Sequence, residues 1–325
     1  MRAVRFHEYG EPDVLQVDEV PSPEPGPNEI LVDVAAASVN PIDALLRNGV
    51  RSVPVPMVAG SDFAGTVTEV GSDVDEFEVG DRVFGTGMHP GFTEHGTYAE
   101  STVVRTDLVA KLPSGVSFDT AAASALVGVT AWRGLIDRAN LQLAESCLIH
   151  GGSGGVGHVA VQLAATSAAH VVSTGATERL DRIREFGADE VLCYDSDTLR
   201  ADVLEATDGG ADVIFDHRLD DYHQFDIDVA AMDGRVVVFG GASGTLTEAG
   251  TARGSEVTVH HMSMTNLATE VDLPNIGPIL SRLATLLETG EVQASIDRRY
   301  DLEEAAEAQR AVMEDQFVGK LVIEP

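Results

Sequence analysis

Cysteine is nearly missing from this chain: Cys147 and Cys193 are the only two in 325 residues. Neither a disulfide framework nor a cysteine-based zinc site can be built from them, and each lies in or beside an apolar strand-like run, as core thiols do. Lysine is equally scarce. Lys111 and Lys320 are the only two, and 21 basic residues stand against 53 acidic ones, a formal net charge of −32. That balance argues against nucleic acid as a partner, because phosphate binding leans on clustered lysine and arginine. The acids are scattered through a chain that is 44% hydrophobic, so a heavily hydrated surface suited to a high-salt cytoplasm explains them better than disorder does. No apolar run reaches the roughly 18 residues of a membrane span, and Met1-Arg2-Ala3-Val4-Arg5-Phe6 enters strand-like alternation without a signal-peptide core. The reading is a cytoplasmic protein with no membrane partner.

Glycine, by contrast, is concentrated where it matters. Leu148-Ile149-His150-Gly151-Gly152-Ser153-Gly154-Gly155-Val156-Gly157 is an apolar run ending in a glycine-rich turn, followed by the helix-like His158-Val159-Ala160-Val161-Gln162-Leu163-Ala164. Gly152, Gly154 and Gly157 fit G-x-G-x-x-G, the turn at which a dinucleotide pyrophosphate meets the free N–H groups of a helix start. Gly152, Ser153, Gly154, Gly155, Val156 and Gly157 are therefore candidate cofactor contacts. Context strengthens the match, because His170 to Thr174 follows at βαβ distance, then a polar helix and a strand at Glu190 to Tyr194.

Two compositions divide the chain. Up to about residue 122 short alternating segments, Glu29 to Ala36, Gly65 to Val70, Asp81 to Phe84 and Tyr98 to Val104, are separated by glycine and proline turns, which reads as mostly β. From 123 to 290 helix and strand alternate, with strands at Ser146 to His150, His170 to Thr174, Glu190 to Tyr194, Val213 to Asp216 and Arg235 to Phe239. This is the pattern of an α/β doubly wound parallel sheet. Residues 291–325 return to strand, helix and strand, so the α/β segment reads as an insertion in the β domain, with the active site expected in the cleft between them.

Several ordered motifs then resemble the zinc-independent quinone oxidoreductase (zeta-crystallin-like) family of the medium-chain dehydrogenase/reductase superfamily. They are Val39-Asn40-Pro41-Ile42-Asp43 with Arg47 and Gly49, Gly60-Ser61-Asp62-Phe63-Ala64-Gly65, Gly80-Asp81-Arg82-Val83, Gly96-Thr97-Tyr98-Ala99-Glu100, Thr130-Ala131-Trp132 and the loop itself. The resemblance runs nearly end to end. It implies a GroES-like β domain (1–122 and 291–325) holding a Rossmann NADP-binding domain (123–290), and a homodimer, expected to pair through an edge strand between Thr245 and His261. Zinc-dependent relatives carry a cysteine just after the strand ending near Ser38 and a Gly-His-Glu where this chain has Gly60-Ser61-Asp62. Hydride transfer without zinc is accordingly expected.

The coenzyme can be narrowed further. NAD-specific sites place an acid at the end of the second strand, where this chain has Ser173-Thr174-Gly175. Thr174 is a candidate cofactor contact, and beyond it Thr177 and Arg179 could hydrogen-bond and neutralise a 2′-phosphate, although Arg179 could instead be a solvated helix residue pairing with Asp181 or Glu185. The resemblance adds Arg179 and Tyr194 as phosphate contacts, hence NADPH. It also places Asn40 and Thr130 as catalytic residues beside the nicotinamide, with the Phe239-Gly240-Gly241 turn close by. Asn40 could donate from its amide to the carbonyl being reduced, hold the carboxamide, or serve only the turn before Pro41. Asp43 and Arg47, at i and i+4, are expected to form a local ion pair. Histidines at 89, 95, 260 and 261 lack a third ligand at metal spacing.

Relatives commonly carry acceptor-stacking tyrosines where this chain has Leu45 and Arg51, which with Asn40 would line the substrate cleft. Two small-molecule electron acceptors therefore stay open: a quinone, or an enone or enal whose double bond is reduced. A dinucleotide- or RNA-binding protein without turnover is the reading from another class.

Overall fold

The computed structural model describes residues 1–50, 52–86, 95–241, 243–264 and 276–325. Arg51 and His89, named above, lie outside them. The chain divides into two compact units, Met1–Val129 with Thr265–Pro325, and Thr130–Met264.

In chain order the first unit contributes β1 (Arg2–Phe6), β2 (Leu15–Glu19), β3 (Glu29–Val39), α1 (Pro41–Arg47), β4 (Met57–Val58), β5 (Asp62–Val70), β6 (Arg82–Thr86), β7 (Ser101–Arg105) and β8 (Val109–Lys111). α2 (Phe118–Trp132) follows, and the unit boundary falls inside it. The second unit holds β9 (Ser146–Ile149), α3 (Gly155–Thr166), β10 (His170–Gly175), α4 (Leu180–Glu185), β11 (Glu190–Cys193), α5 (Leu199–Ala206), β12 (Ala211–Asp216), α6 (Leu219–Val229), β13 (Ala230–Val238), α7 (Ala249–Gly254) and β14 (Thr258–His261). The chain then closes the first unit with α8 (Ile276–Thr289), β15 (Ile296–Asp301), α9 (Ala305–Glu314) and β16 (Lys320–Glu324).

In the first unit a seven-stranded sheet runs β15-β16-β3-β5-β6-β8, with β7 also on β3, and β2-β1-β4 form a separate small sheet. β3 is its centre. Expected to stop at Ala36, it continues through Ala37, Ser38 and Val39, paired on one side by β16 from the chain end and on the other by β5 as far as Ser38. Those residues are buried, so the strand ends inside the unit and delivers Asn40 there. Register shifts after Leu31 and Val34 mark bulges that bend this long strand.

The second unit is a six-stranded parallel sheet in the order β11-β10-β9-β12-β13-β14, the doubly wound arrangement. Its central strands read as continuous apolar runs because helices cover both faces. Leu148, Val172, Ile214 and Val236 form one buried cluster with Val203 of α5 and Val229 of α6.

Both expected boundaries move: the α/β unit begins at Thr130, inside α2, and not at 123. The α/β segment ends at Met264 and not near 290, because α8 packs on β8 and β6 of the first unit. Ile279, Leu280, Leu283 and Leu287 form its apolar face, and Leu283 presses against Gly128. Periodicity identifies such a helix without saying which sheet it covers.

Candidate active site

The glycine loop leaves β9 at its carboxyl end, between β10 and β12, where doubly wound sheets bind ligands. Gly151 has φ +69°, and a Cβ there would stand 2.7 Å from His217 Cε1; both requirements select glycine. At Gly157 a Cβ would lie 2.1 Å from the Gly151 carbonyl oxygen, so the third glycine lets α3 start against the loop. Gly154 is the N-cap of α3. The first-turn N–H groups of Gly155, Val156 and Gly157 have no intrahelical partner by geometry, and with the helix dipole they suit a pyrophosphate. Ser153 is buried, while Gly154, Gly155 and Val156 keep partial exposure. The cradle fits a dinucleotide.

At the end of β10 Gly175 stands beside Cys193 of β11, and Tyr194 N donates to the Gly175 carbonyl at 3.2 Å. Thr177 Oγ1 is 3.2 Å from Cys193 Sγ, Arg179 is half-buried and Tyr194 is 36% exposed. Thr177, Arg179 and Tyr194 thus come from two adjoining strand ends. Glu178, the first acid after β10, is exposed.

Thr174 requires a correction. Its side chain does not face outward toward a ribose: the residue is 1% exposed, and its hydroxyl oxygen accepts the Gly151 N–H at 3.2 Å and lies 3.3 Å from His150 Nδ1. Thr174 serves the loop from beneath. At the other strand end, Phe239 N donates to the Asp216 carbonyl at 3.0 Å and the Phe239 ring stacks on Phe215 with centroids 4.5 Å apart. This sets the Phe239-Gly240-Gly241 turn beside the end of β12. Thr130 is buried near the end of α2.

In the first unit Asn40 caps α1. Pro41 sits in the first turn, and the Asp43 carboxylate accepts the Asn40 N–H at 2.9 Å. The Asn40 amide is fully engaged: Nδ2 donates to Asp62 Oδ2 at 2.8 Å and Ser61 Oγ at 3.3 Å, and Oδ1 accepts from Lys320 Nζ at 2.5 Å. An ammonium at Oδ1 fixes which way the amide points. Asn40, expected as a donor to a substrate carbonyl, has both amide hydrogens committed within its own unit, so it offers a held scaffold and not a free donor.

The cluster continues inward. Lys320 Nζ also donates to the Val39 carbonyl at 2.7 Å, Ser38 Oγ donates to Asp62 Oδ2 at 2.8 Å, and Tyr98 OH donates to Asp43 Oδ2 at 2.9 Å. Burial pushes Asp43 up to about 6. It also raises Asp62 and lowers Lys320, while their mutual attraction works against both shifts. The expected Asp43–Arg47 ion pair does not form. Asp43 points to Tyr98, whereas Arg47 Nε donates to Gln309 Oε1 of α9 at 2.7 Å and Nη1 to the Gly10 carbonyl. Leu45 is half-buried on α1.

Zinc does not suit this cluster. Asn40 and Ser61 offer an amide and a hydroxyl, poor zinc donors, and the Asp62 carboxyl already accepts from Asn40 and Ser38 in the field of the Lys320 ammonium, a charge that a dication would oppose. Among the described residues no three of His, Cys, Asp and Glu are grouped to hold a metal. Lys320, Asp62 and Tyr98 were not anticipated as site residues; the signal available was that Lys320 is one of only two lysines in an acidic chain.

Residues 26–114 match the family described as alcohol dehydrogenase GroES-like domain, and residues 186–323 that described as zinc-binding dehydrogenase. A quinone oxidoreductase of Pseudomonas aeruginosa is 32% identical over 329 residues, covering 100% of this chain and 99% of that one. A 2-methylene-furan-3-one reductase of Solanum lycopersicum is 31% identical, covering 100% of this chain and 79% of the relative. Among solved structures, an NAD-dependent alcohol dehydrogenase superposes with a TM-score of 0.91 at 30% identity, covering 100% of both chains. The Escherichia coli quinone oxidoreductase complexed with NADPH superposes with a TM-score of 0.86 at 28% identity, again over 100% of both.

Proposed function

Since this chain belongs to the medium-chain dehydrogenase/reductase superfamily, with quinone oxidoreductases among its relatives, we propose that it is an NADPH-dependent oxidoreductase that passes a hydride, without zinc, to a quinone or a related α,β-unsaturated carbonyl. The observation that carries the coenzyme half is the glycine cradle ending β9, with Thr177, Arg179 and Tyr194 at the neighbouring strand ends and Gly175 where an NAD-type site holds an acid. NADPH, when bound, supplies the hydride from its nicotinamide.

The rest is the work of this chain. The loop and the start of α3 hold the pyrophosphate, and Arg179 neutralises the 2′-phosphate. Asn40 and Thr130 act at the reacting end, Asn40 as a rigid wall set by Lys320 and Asp62. Hydride addition to a quinone leaves a phenolate, and one proton from water completes the hydroquinone, so no side-chain acid is required. The engaged amide of Asn40 agrees with that economy.

Enone reduction is the second reading, favoured by Leu45, an aliphatic residue where acceptor-stacking aromatics would serve a quinone, and by the tomato relative. NADPH oxidation in molar salt with 1,4-benzoquinone and with a short enone separates the two: the quinone is expected to turn over with the higher kcat/KM, and a preference for the enone transfers the assignment. A two-fold homodimer through β14, the edge strand of the parallel sheet, is part of the proposal. Monomeric elution on gel filtration in high salt contradicts it.

A further inference from the structure

Beneath the glycine loop the second unit buries titratable groups that the proposed hydride transfer does not use. His150, the residue that joins β9 to the loop, and Asp226 of α6 have side-chain exposures of 0% and 1%. His150 Nε2 lies 2.9 Å from Asp226 Oδ1, and its ring stacks on Tyr222 with centroids 4.1 Å apart and planes 8° from parallel. Asp216, which ends β12, is buried too, and its Oδ1 accepts the Arg218 N–H at 2.7 Å.

The second oxygens of the two aspartates decide the protonation. Neither Asp216 Oδ2 nor Asp226 Oδ2 meets a donor from another residue, and each carboxyl acts on the protonation of the other. One proton held between them satisfies both, as in other carboxyl pairs that cannot ionise together. The raised affinity of both groups for protons, caused first by burial, agrees.

With that pair in place the hydrogen bonds run in one direction. Asp226 accepts, so His150 Nε2 carries the proton. Burial keeps the ring neutral, down to about pH 4, so Nδ1 accepts. The neighbour of Nδ1 is the Thr174 hydroxyl, which must therefore donate to it, leaving the oxygen lone pairs for the Gly151 N–H at 3.2 Å. The Thr174 carbonyl takes the next amide, Gly152 N–H, at 3.0 Å. Two successive loop amides are thus tied to one residue of β10. On the far side, Gly151 sits where any Cβ would strike His217.

We propose that His150 is a positioning residue for the coenzyme: through Thr174 it sets the backbone of the glycine loop, and Asp226, sharing a proton with Asp216, fixes the imidazole tautomer that does so. This rests on reading the loop as the coenzyme site, and two separate measurements keep the claims apart. Thr174→Val removes the hydroxyl with little change of shape, Thr174→Ser returns it, and His150→Phe keeps the ring stacked on Tyr222 while deleting both nitrogens.

Amide hydrogen exchange of the segment 149–157, followed by mass spectrometry in the coenzyme-free protein, reads the loop directly. Isothermal titration with NADPH and steady-state kinetics read the coenzyme. In Thr174→Val and His150→Phe the loop is expected to exchange about tenfold faster with the rest of β9 and β12 unchanged, and the Kd and KM for NADPH to rise about tenfold, the size of one lost hydrogen bond. The rise in KM should exceed any fall in kcat. Thr174→Ser should restore both readings. Unchanged exchange in Thr174→Val, or failure of Thr174→Ser to restore it, overturns the proposal, and Thr174 decides the matter if His150→Phe does not fold. A wild-type protein that does not bind NADPH removes the coenzyme reading, while the exchange result still judges the loop.

Discussion

The Lys320 ammonium donates to Asn40 Oδ1 at 2.5 Å, joining residues 280 positions apart. Only a donor can sit there, so this contact orients the amide and sends its hydrogens to Asp62 and Ser61. In Lys320→Met, Asn40 Oδ1 and the Val39 carbonyl are left buried without their donor and Asp62 loses the nearby positive charge that favours its ionised form; buried acceptors left without a donor cost about 1–3 kcal/mol each. Urea denaturation in high salt is expected to show a loss of that order, and kcat to fall more than the NADPH KM rises. Stability and kcat both equal to wild type would mean that Lys320 does not hold Asn40.

Arg179 is the proposed 2′-phosphate contact. Arg179→Ala is expected to raise the KM for NADPH about tenfold or more, the scale of one charge-assisted contact, and to leave NADH almost unaffected. Equal effects on the two coenzymes would return Arg179 to the role of a solvated helix residue.

Acid should weaken the second unit through its histidines. Burial lowers both His150 and His217 to about 4. Below the unfolded value of about 6.5 the unfolded chain binds protons that the folded one refuses, so their contribution is complete above that pH and is lost as pH falls toward 4. Asp43 and Asp216, each raised to about 6 by burial, act in the opposite sense: their contribution is present below the unfolded carboxylate range and is lost as pH rises through 6. His150→Phe removes one histidine and should lose less stability than wild type between pH 6.5 and 4.5. Urea midpoints at the two values measure it, and parallel losses in both proteins would count against a neutral buried His150.

The net charge of −32 predicts dependence on salt. Lowering KCl from about 1 M to about 0.1 M lengthens screening from about 3 to about 10 Å, so repulsion between scattered acids grows. The melting temperature should drop markedly. A melting temperature independent of salt would show that the surface tolerates its charge without screening.

The glycine loop, the strand series from β9 to β13 and the β character of the first part were legible in the sequence because their signals are local: a turn that needs glycine, apolar runs of strand length, and proline-rich punctuation. What was hidden depends on distant partners. β3 runs to Val39 because β5 and, from the far end of the chain, β16 pair with its last residues. The roles of Lys320, Asp62 and Tyr98 arise only once β3, β5 and β16 meet. Asp43 and Arg47 have the spacing of an ion pair, yet each is held by a partner distant in sequence, Tyr98 and Gln309. Thr174 was placed correctly at the strand end but its direction was not, since a hydroxyl turned to a histidine leaves no trace in strand periodicity.

Hydride transfer from NADPH without zinc is best tested by the rate of NADPH oxidation by 1,4-benzoquinone in molar KCl, with protein stripped of metal by a chelator and checked by elemental analysis. The stripped protein is expected to turn over fully, at a rate unchanged when zinc is restored and higher with NADPH than with NADH. Turnover that vanishes on stripping and returns with zinc, or no turnover under either condition, would contradict transfer without zinc.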